Sequence, residues 1–391
     1  MKKLLAAALA AALLVLPAAP ASAVSGAPAT DCGSAILMEK ETGTILFEQN
    51  SHDKLEPASV TKVMTLLLVM EAIDSGRLSM DDMVQVSAHA AGMGGSQVYM
   101  KEGEQFSVHD MLKCVAVVSG NDAAVALAEH LAGSEEGFVE RMNERAAELG
   151  MSDTHFLNCT GLPAAGHLTS AHDIALMSRE LILNHPDIRE FTTIWMDSIR
   201  DGAFQLANTN KLIRFYEGAT GLKTGSTDSA LYCLSATAER DGMELIAVVM
   251  KAPTSEKRFE TAKNLLSFGF ANYTLMDVQP NQALPPIDVL LGTRDQVQPQ
   301  LSQSSRILID KADVNSVTTE LSLCENVEAP VEQGQKLGEM VVKVNGETLQ
   351  TIPIVAGEAV ERLTVPGIFM KFLKTLFMAG QKRRLAHPSR M

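Results

Sequence analysis

Glu56-Pro57-Ala58-Ser59-Val60-Thr61-Lys62 runs directly into Val63-Met64-Thr65-Leu66-Leu67-Leu68-Val69-Met70, and the fold is organised around this stretch. A helix that is apolar on every side belongs at the centre of a domain, so a buried helix is predicted, beginning at Ser59. Ser59 and Lys62 stand three apart at its start, which puts a hydroxyl beside an amine on one face. A protonated lysine cannot take the serine proton, so Lys62 must be neutral for part of any such cycle. Burial against the helix and a second nearby cation, for which Lys223 is the candidate, both depress its pKa. The helix N-terminus also directs the backbone N–H of Ser59 at a developing oxyanion.

Working outward, residues 33–39 and 44–48 read as a hairpin about Thr42-Gly43. Helical patterns cover 108–118, 122–132, 135–149 and 170–184, the last opened by Ser170 and Asp173 in a capping-box arrangement. Strands return at 230–238 and 243–250, joined at Asp241-Gly242, and a closing helix over 255–270 puts Phe259, Ala262, Leu265 and Leu266 on one face. Helices inserted between early and late strands make the first domain, 24–275, α+β. Pro280, Pro285 and Pro286 mark a linker over 273–286. A small β-rich domain follows within 276–364, clearest where Glu339 to Val344 and Thr348 to Val355 flank Asn345-Gly346.

Both ends read differently. Lys2 and Lys3, the apolar run Leu4 to Leu16 and Ala21-Ser22-Ala23 form a secretory signal over 1–23, too short to span a bilayer. At the other end, 365–391 reads as an amphipathic, basic, membrane-anchoring helix. Ile368, Phe369, Phe372, Leu373, Leu376 and Phe377 share one side of a helical wheel, opposite Lys371 and Lys374. From 366 onward there are six cations and no acidic residue. The alternative is a helix docked on its own protein. An exported protein on the outer face of the cytoplasmic membrane is expected.

Hydrophobic and charged contents of 46 % and 20 % exclude a disordered chain. The net charge of −14, or −16 without Lys2 and Lys3, repels a phosphate backbone, so nucleic acid is no partner. Cys32, Cys114, Cys159, Cys233 and Cys324 are odd in number and lack metal-ligand spacing, so they are read mostly as core filler. Trp195 and the scattered methionines are also expected in the core. His167 and His172 are taken as structural, and Gly92, Gly94 and Gly95 as a flexible loop near a cleft mouth.

Two further motifs join Ser59-Val60-Thr61-Lys62. Ser119 and Asn121, in Ser119-Gly120-Asn121, present two polar groups on one wall. Lys223, in Lys223-Thr224-Gly225, can meet a terminal carboxylate with a point charge, and Gly225 lets a bound substrate lie close to the backbone. Each motif alone is weak.

Together, and in this order, they resemble those of the penicillin-binding serine D-alanyl-D-alanine carboxypeptidases, the low-molecular-weight class C type of peptidase family S11. Val118 to Ala123, Asn208-Thr209-Asn210 and Gly221 to Gly225 carry the likeness further. The resemblance implies a β-lactamase/DD-peptidase-like catalytic domain followed by the β-rich domain and amphipathic tail. It implies Ser59 as acylated nucleophile, Lys62 as general base and Ser119 as proton relay. Asn121 would hold the substrate amide, Lys223 and Thr224 its carboxylate end, and the N–H of Ser226 would complete the oxyanion hole. Ser226 stands where many relatives carry an aromatic residue or histidine. Arg258 is a weaker candidate for the carboxylate, its alternative being a solvated helix cation. Peptidoglycan stem peptides ending in D-Ala-D-Ala and β-lactams are the implied ligands, with no cofactor or metal. A class A-like β-lactamase and a non-catalytic penicillin-binding scaffold are the alternatives. Against the first stand Gly120 in the second motif, more than 100 residues after the closing helix, and Glu180 within a helix instead of a deacylating loop. Against the second stand five intact motif residues.

Overall fold

A computed structural model describes residues 26–280, 282–302 and 305–373, and the chain divides into two units at Tyr273/Thr274. The expected signal segment and most of the expected tail helix lie outside the described residues.

The first unit opens with β1 (Ser34–Glu39) and β2 (Ile45–Gln49), antiparallel neighbours as the pattern predicts. The central segment forms α1 (Lys62–Asp74), whose Val63, Met64, Leu66, Leu67, Val69 and Met70 are wholly buried. Each such side chain contributes roughly 1.5–3 kcal/mol of apolar burial. The α-helix starts later than expected, because Ala58–Thr61 is a single 3-10 turn leading into it. Next come α2 (Val108–Val118), α3 (Asn121–Ala132), α4 (Glu135–Glu148) and α5 (Ala171–Asn184). Their starts were legible for a local reason. The hydroxyls of Ser107, Ser134 and Ser170 accept the backbone N–H three residues on, opening α2, α4 and α5, each worth about 1 kcal/mol.

Past α5 lies a ribbon of two short strands, β3 (Met196–Ile199) and β4 (Phe204–Ala207), that the sequence pattern did not suggest. Then β5 (Ala219–Thr227), β6 (Leu231–Arg240) and β7 (Met243–Ala252) complete an all-antiparallel sheet in the order β2-β1-β7-β6-β5. Asp241 and Gly242 both take positive φ (51° and 75°), as the two-residue turn between β6 and β7 requires. The closing helix, α6 (Ser255–Asn272), packs on β6 and β7. Sheet residues alternate between two buried faces. Ile36, Met38, Ile246 and Val248 join the core around α1. Leu37 and Leu245 meet α6 at Gly269, where an added Cβ would lie 2.4 Å from Leu245. With β5 at its edge, the sheet leaves one side of Lys223-Thr224-Gly225 unpaired.

The second unit begins inside the expected linker: Tyr273–Asp277 (β8) is a strand paired with Arg306–Asp310 (β9). The proline-rich part follows it. β10 (Val317–Leu323), β11 (Lys336–Val344) and β12 (Glu347–Ala356) are antiparallel neighbours, with Asn345 and Gly346 at φ 52° and 84° in the turn. Two small apolar clusters support this unit, one around Val289 and Leu337, the other around Met340 and Ile352. Residues 365–373 are helical and leave Phe369 and Phe372 about 60 % exposed. No described helix is long and apolar enough to cross a membrane.

Two expectations about core residues divide here. All five cysteines are unpaired, and Cys114, Cys159 and Cys233 are buried, but Cys324 is exposed. Trp195 is only half-buried: its ring meets Phe215 edge-on under the guanidinium of Arg214, and Phe215 is itself 61 % exposed. Met196, beside it, is exposed as well.

Candidate active site

Ser59 lies in the Ala58–Thr61 turn, where Val60 N donates to Pro57 O. Ala58, its neighbour, holds a positive φ of 47°, and Gly161 packs so closely that a Cβ there would fall 1.8 Å from Ala58 O. On another side, a Cβ on Gly225 would fall 2.8 Å from Ser59 N and 2.9 Å from Val60 N. Gly225 therefore lets β5 itself approach the serine turn. The expectation that its missing side chain serves a bound substrate gives way to this tighter internal requirement.

Lys62 is fully buried at the first position of α1. Its Nζ lies 3.0 Å from Ser59 Oγ, 2.5 Å from Asn121 Oδ1 and 2.7 Å from Thr160 O. Burial lowers its pKa to about 7, while Cys159 and Asp122 work in the opposite direction. Desolvation is thus the cause, and the expected second cation is not among its perturbers. The repulsion shows on the other partner: Lys223, also buried, is held well below the usual lysine range by burial first, then by Lys62 and Arg258.

Asn121 opens α3, and both ends of its amide are engaged, Oδ1 by Lys62 and Nδ2 by Gly94 O at 2.6 Å. Its backbone N–H donates to Ser96 O. The Gly92–Gly95 segment is therefore tied to the site, a correction to the expected flexible loop. Ser119 ends α2 in left-handed geometry (φ 65°), and its Oγ is buried without a hydrogen-bond partner among the described residues. Lys223 Nζ donates to Thr224 O, Thr224 Oγ1 meets Thr209 Oγ1 at 2.7 Å, and Ser226 is exposed. Thr209 also donates its backbone N–H to Val117 O, linking β5 to the end of α2. Pattern reading quoted Asn208-Thr209-Asn210 without assigning it this linking role.

Arg258 is neither solvated nor free. It is buried on α6, and Nη1 donates to Gly225 O and Cys233 O, bracing the strand that carries the third motif. Burial lowers its pKa to about 10. The basic side chains of Lys62, Lys223 and Arg258 are thus all buried and close enough for Lys62 and Arg258 to lower the proton affinity of Lys223. The nearby carboxylate of Asp122 is spent on the backbone N–H groups of Val98, Met100 and Ala123. Such a site favours an anionic ligand.

His167 is structural as expected. Nδ1 accepts from Leu157 N, which leaves Nε2 to donate to Thr61 Oγ1, and burial lowers its pKa to about 4. Glu180 is held by Arg145 at 2.7 Å and by Asn184. Among the described residues Glu71, Glu180 and His185 form a group of metal-ligand type, but Arg145 already pairs with both carboxylates.

A serine hydroxyl against a buried, readily neutral amine, facing an open strand edge in positive surroundings, is an arrangement suited to nucleophilic acyl transfer on a carboxylate-bearing substrate. The model of the D-alanyl-D-alanine carboxypeptidases (peptidase S11) matches residues 21–254, and that of the penicillin-binding protein 5 C-terminal domain matches 278–362. The chain is 43 % identical to the D-alanyl-D-alanine carboxypeptidase DacF of Bacillus subtilis, over 88 % of this chain and 89 % of that one. It is 33 % identical to DacC of Escherichia coli over 86 % of both. Penicillin-binding protein 5 from Haemophilus influenzae superposes with a TM-score of 0.77 at 30 % identity, covering 86 % of this chain and 99 % of that one. Penicillin-binding protein D2 from Listeria monocytogenes in its ampicillin-bound form gives 0.57 at 36 % identity, covering 62 % and 98 %. The chain belongs to the D-alanyl-D-alanine carboxypeptidase family, peptidase S11.

Proposed function

We propose that this hydrolase removes the terminal D-alanine from peptidoglycan stem pentapeptides through an acyl-enzyme on Ser59. The observation that carries the reading is the fully buried Lys62 amine, with a pKa near 7, at 3.0 Å from Ser59 Oγ. The neutral amine accepts the serine proton as Oγ bonds to the penultimate carbonyl carbon. The backbone N–H groups of Ser59 and Ser226 receive the oxyanion. The C–N bond then breaks, and the proton reaches the leaving amine through Ser119, whose Oγ has no other partner among the described residues. Water releases the acyl group and restores Ser59. Lys223, with Thr224, meets the substrate carboxylate. Asn121, already bonded at both ends of its amide, orients Lys62 and the Gly94 loop as well as facing the substrate.

β-Lactams enter the same path and stop at the ester, because the amine freed by ring opening stays joined to the acyl group instead of departing as D-alanine does. Incubation with a D-Ala-D-Ala peptide should release D-alanine, and mass spectrometry after penicillin treatment should place the adduct on Ser59. An adduct on another serine, or none, overturns the reading.

We place the enzyme outside the cytoplasmic membrane, with residues 365–391 lying in the lipid interface. The exposure of Phe369 and Phe372 on the described first turns supports this. Removing 366–391 should free the enzyme from anionic vesicles, and a truncated protein that still sediments with them contradicts the anchor.

A further inference from the structure

Tyr99 is the most exposed of the tyrosine and phenylalanine rings in the first unit, at 68 %, yet its backbone is held in a conformation that bulky residues avoid, φ 55°. Its neighbours explain how. Val98 and Met100 are buried, and the carboxylate of Asp122, beside Asn121 in sequence, accepts both of their backbone N–H groups at 3.0 and 3.1 Å. From the turn of the β3–β4 ribbon, Arg200 donates to the carbonyls of Val98 and Tyr99 at 2.9 and 3.1 Å. The ring rests edge-on against Phe204 of β4, with centroids 6.4 Å apart.

Two elements therefore fix this segment, and each leads to the active site. Asn121 donates its backbone N–H to Ser96 O and its amide N–H to Gly94 O on the same loop, and its Oδ1 accepts a hydrogen bond from Lys62. β4 leads to Thr209, which bonds Thr224. Strained backbone persists where surroundings over-determine it, and it concentrates at sites of function. A glycine or asparagine would fill this backbone position with less strain, yet the chain places there a ring that is largely exposed and touches Phe204.

We propose that Tyr99, with Phe204 behind it, is an aromatic subsite at the cleft mouth that packs against an apolar side chain on the acyl portion of the ligand. It rests on the acyl-transfer reading above. Two sources share that chemistry: the arylacetyl group of a penicillin and the aliphatic side chain of the residue preceding D-Ala-D-Ala.

The test compares acylation by benzylpenicillin with acylation by 6-aminopenicillanic acid, which lacks the side chain, and hydrolysis of diacetyl-lysyl- with that of acetyl-glycyl-D-alanyl-D-alanine. Tyr99→Gly should lower the benzylpenicillin rate about three- to tenfold and the 6-aminopenicillanic acid rate less than about twofold, with no drop in melting temperature. Tyr99→Phe should behave as wild type. Selective loss in either pair supports the subsite and says which side chain it takes. Equal losses within both pairs, a lowered melting temperature with general loss, or no loss at all overturn it. A wild-type protein that no compound acylates overturns the acyl-transfer reading itself, and the subsite with it.

Discussion

The two units differ in what they bury. Among the described residues, Ser305 is the one buried polar side chain of the second unit, whereas the first holds Lys62, Lys223, Arg258, Asp122, Glu39 and Glu244 among many others. The strands differ in the same sense. β7 has nine of its ten residues buried, but β10 alternates half-buried with exposed positions along its whole length. A large core can hold charges away from water and so shift their proton affinities; a thin β module with two small apolar clusters offers no such environment. Chemistry belongs to the first unit for that physical reason.

The sharpest way to break this contrast is Lys62→Arg, which keeps the charge but removes a usable base. Acylation by benzylpenicillin should fall at least about a hundredfold, and a rate near wild type would show that the buried amine is not the base. Next comes Gly225→Ala. Its Cβ would press on the Ser59 turn, and displacing the nucleophile costs up to about a hundredfold in acylation; an unaffected rate would mean that β5 does not set the position of Ser59. The pH profile follows. Only the neutral amine accepts a proton, so with a pKa near 7 the acylation rate should drop as pH falls below 7, about tenfold per unit. A flat profile from pH 5 to 8 would remove the titrating base. The smallest effect on acylation should come from Ile352→Ala. Cutting that wholly buried side chain should cost the second unit about 2–5 kcal/mol by melting while leaving acylation within about twofold. A large loss of acylation would instead couple the units.

What the sequence disclosed follows the reach of each interaction. Helix starts at Ser107, Ser134 and Ser170 and the Asp241-Gly242 and Asn345-Gly346 turns were legible because their determinants lie within four residues. The apolar run of α1 announced its own burial. Ser59, Lys62, Ser119, Asn121 and Lys223 were legible as motifs, and the structure joins Lys62 directly to Ser59 and Asn121. Gly225 was found but misread, because its requirement comes from a turn more than 160 residues earlier. Arg258 looked like a surface cation on a helix, since nothing local says that its partners are carbonyls of β5 and β6. The β3–β4 ribbon and β8 escaped notice because strands of four or five residues carry too little pattern to separate from loop.

The unpaired cysteines also bear on where this protein can be made. Cys114, Cys159 and Cys233 are buried, and their thiols are pushed toward the protonated form, mainly by desolvation. Thiols kept neutral and out of reach neither attack disulfides nor cross-link in an oxidising compartment. Among the described residues no disulfide joins the fold, so packing and polar contacts hold it together, and of the five thiols the exposed Cys324 and the partly buried Cys32 are the ones open to an oxidant.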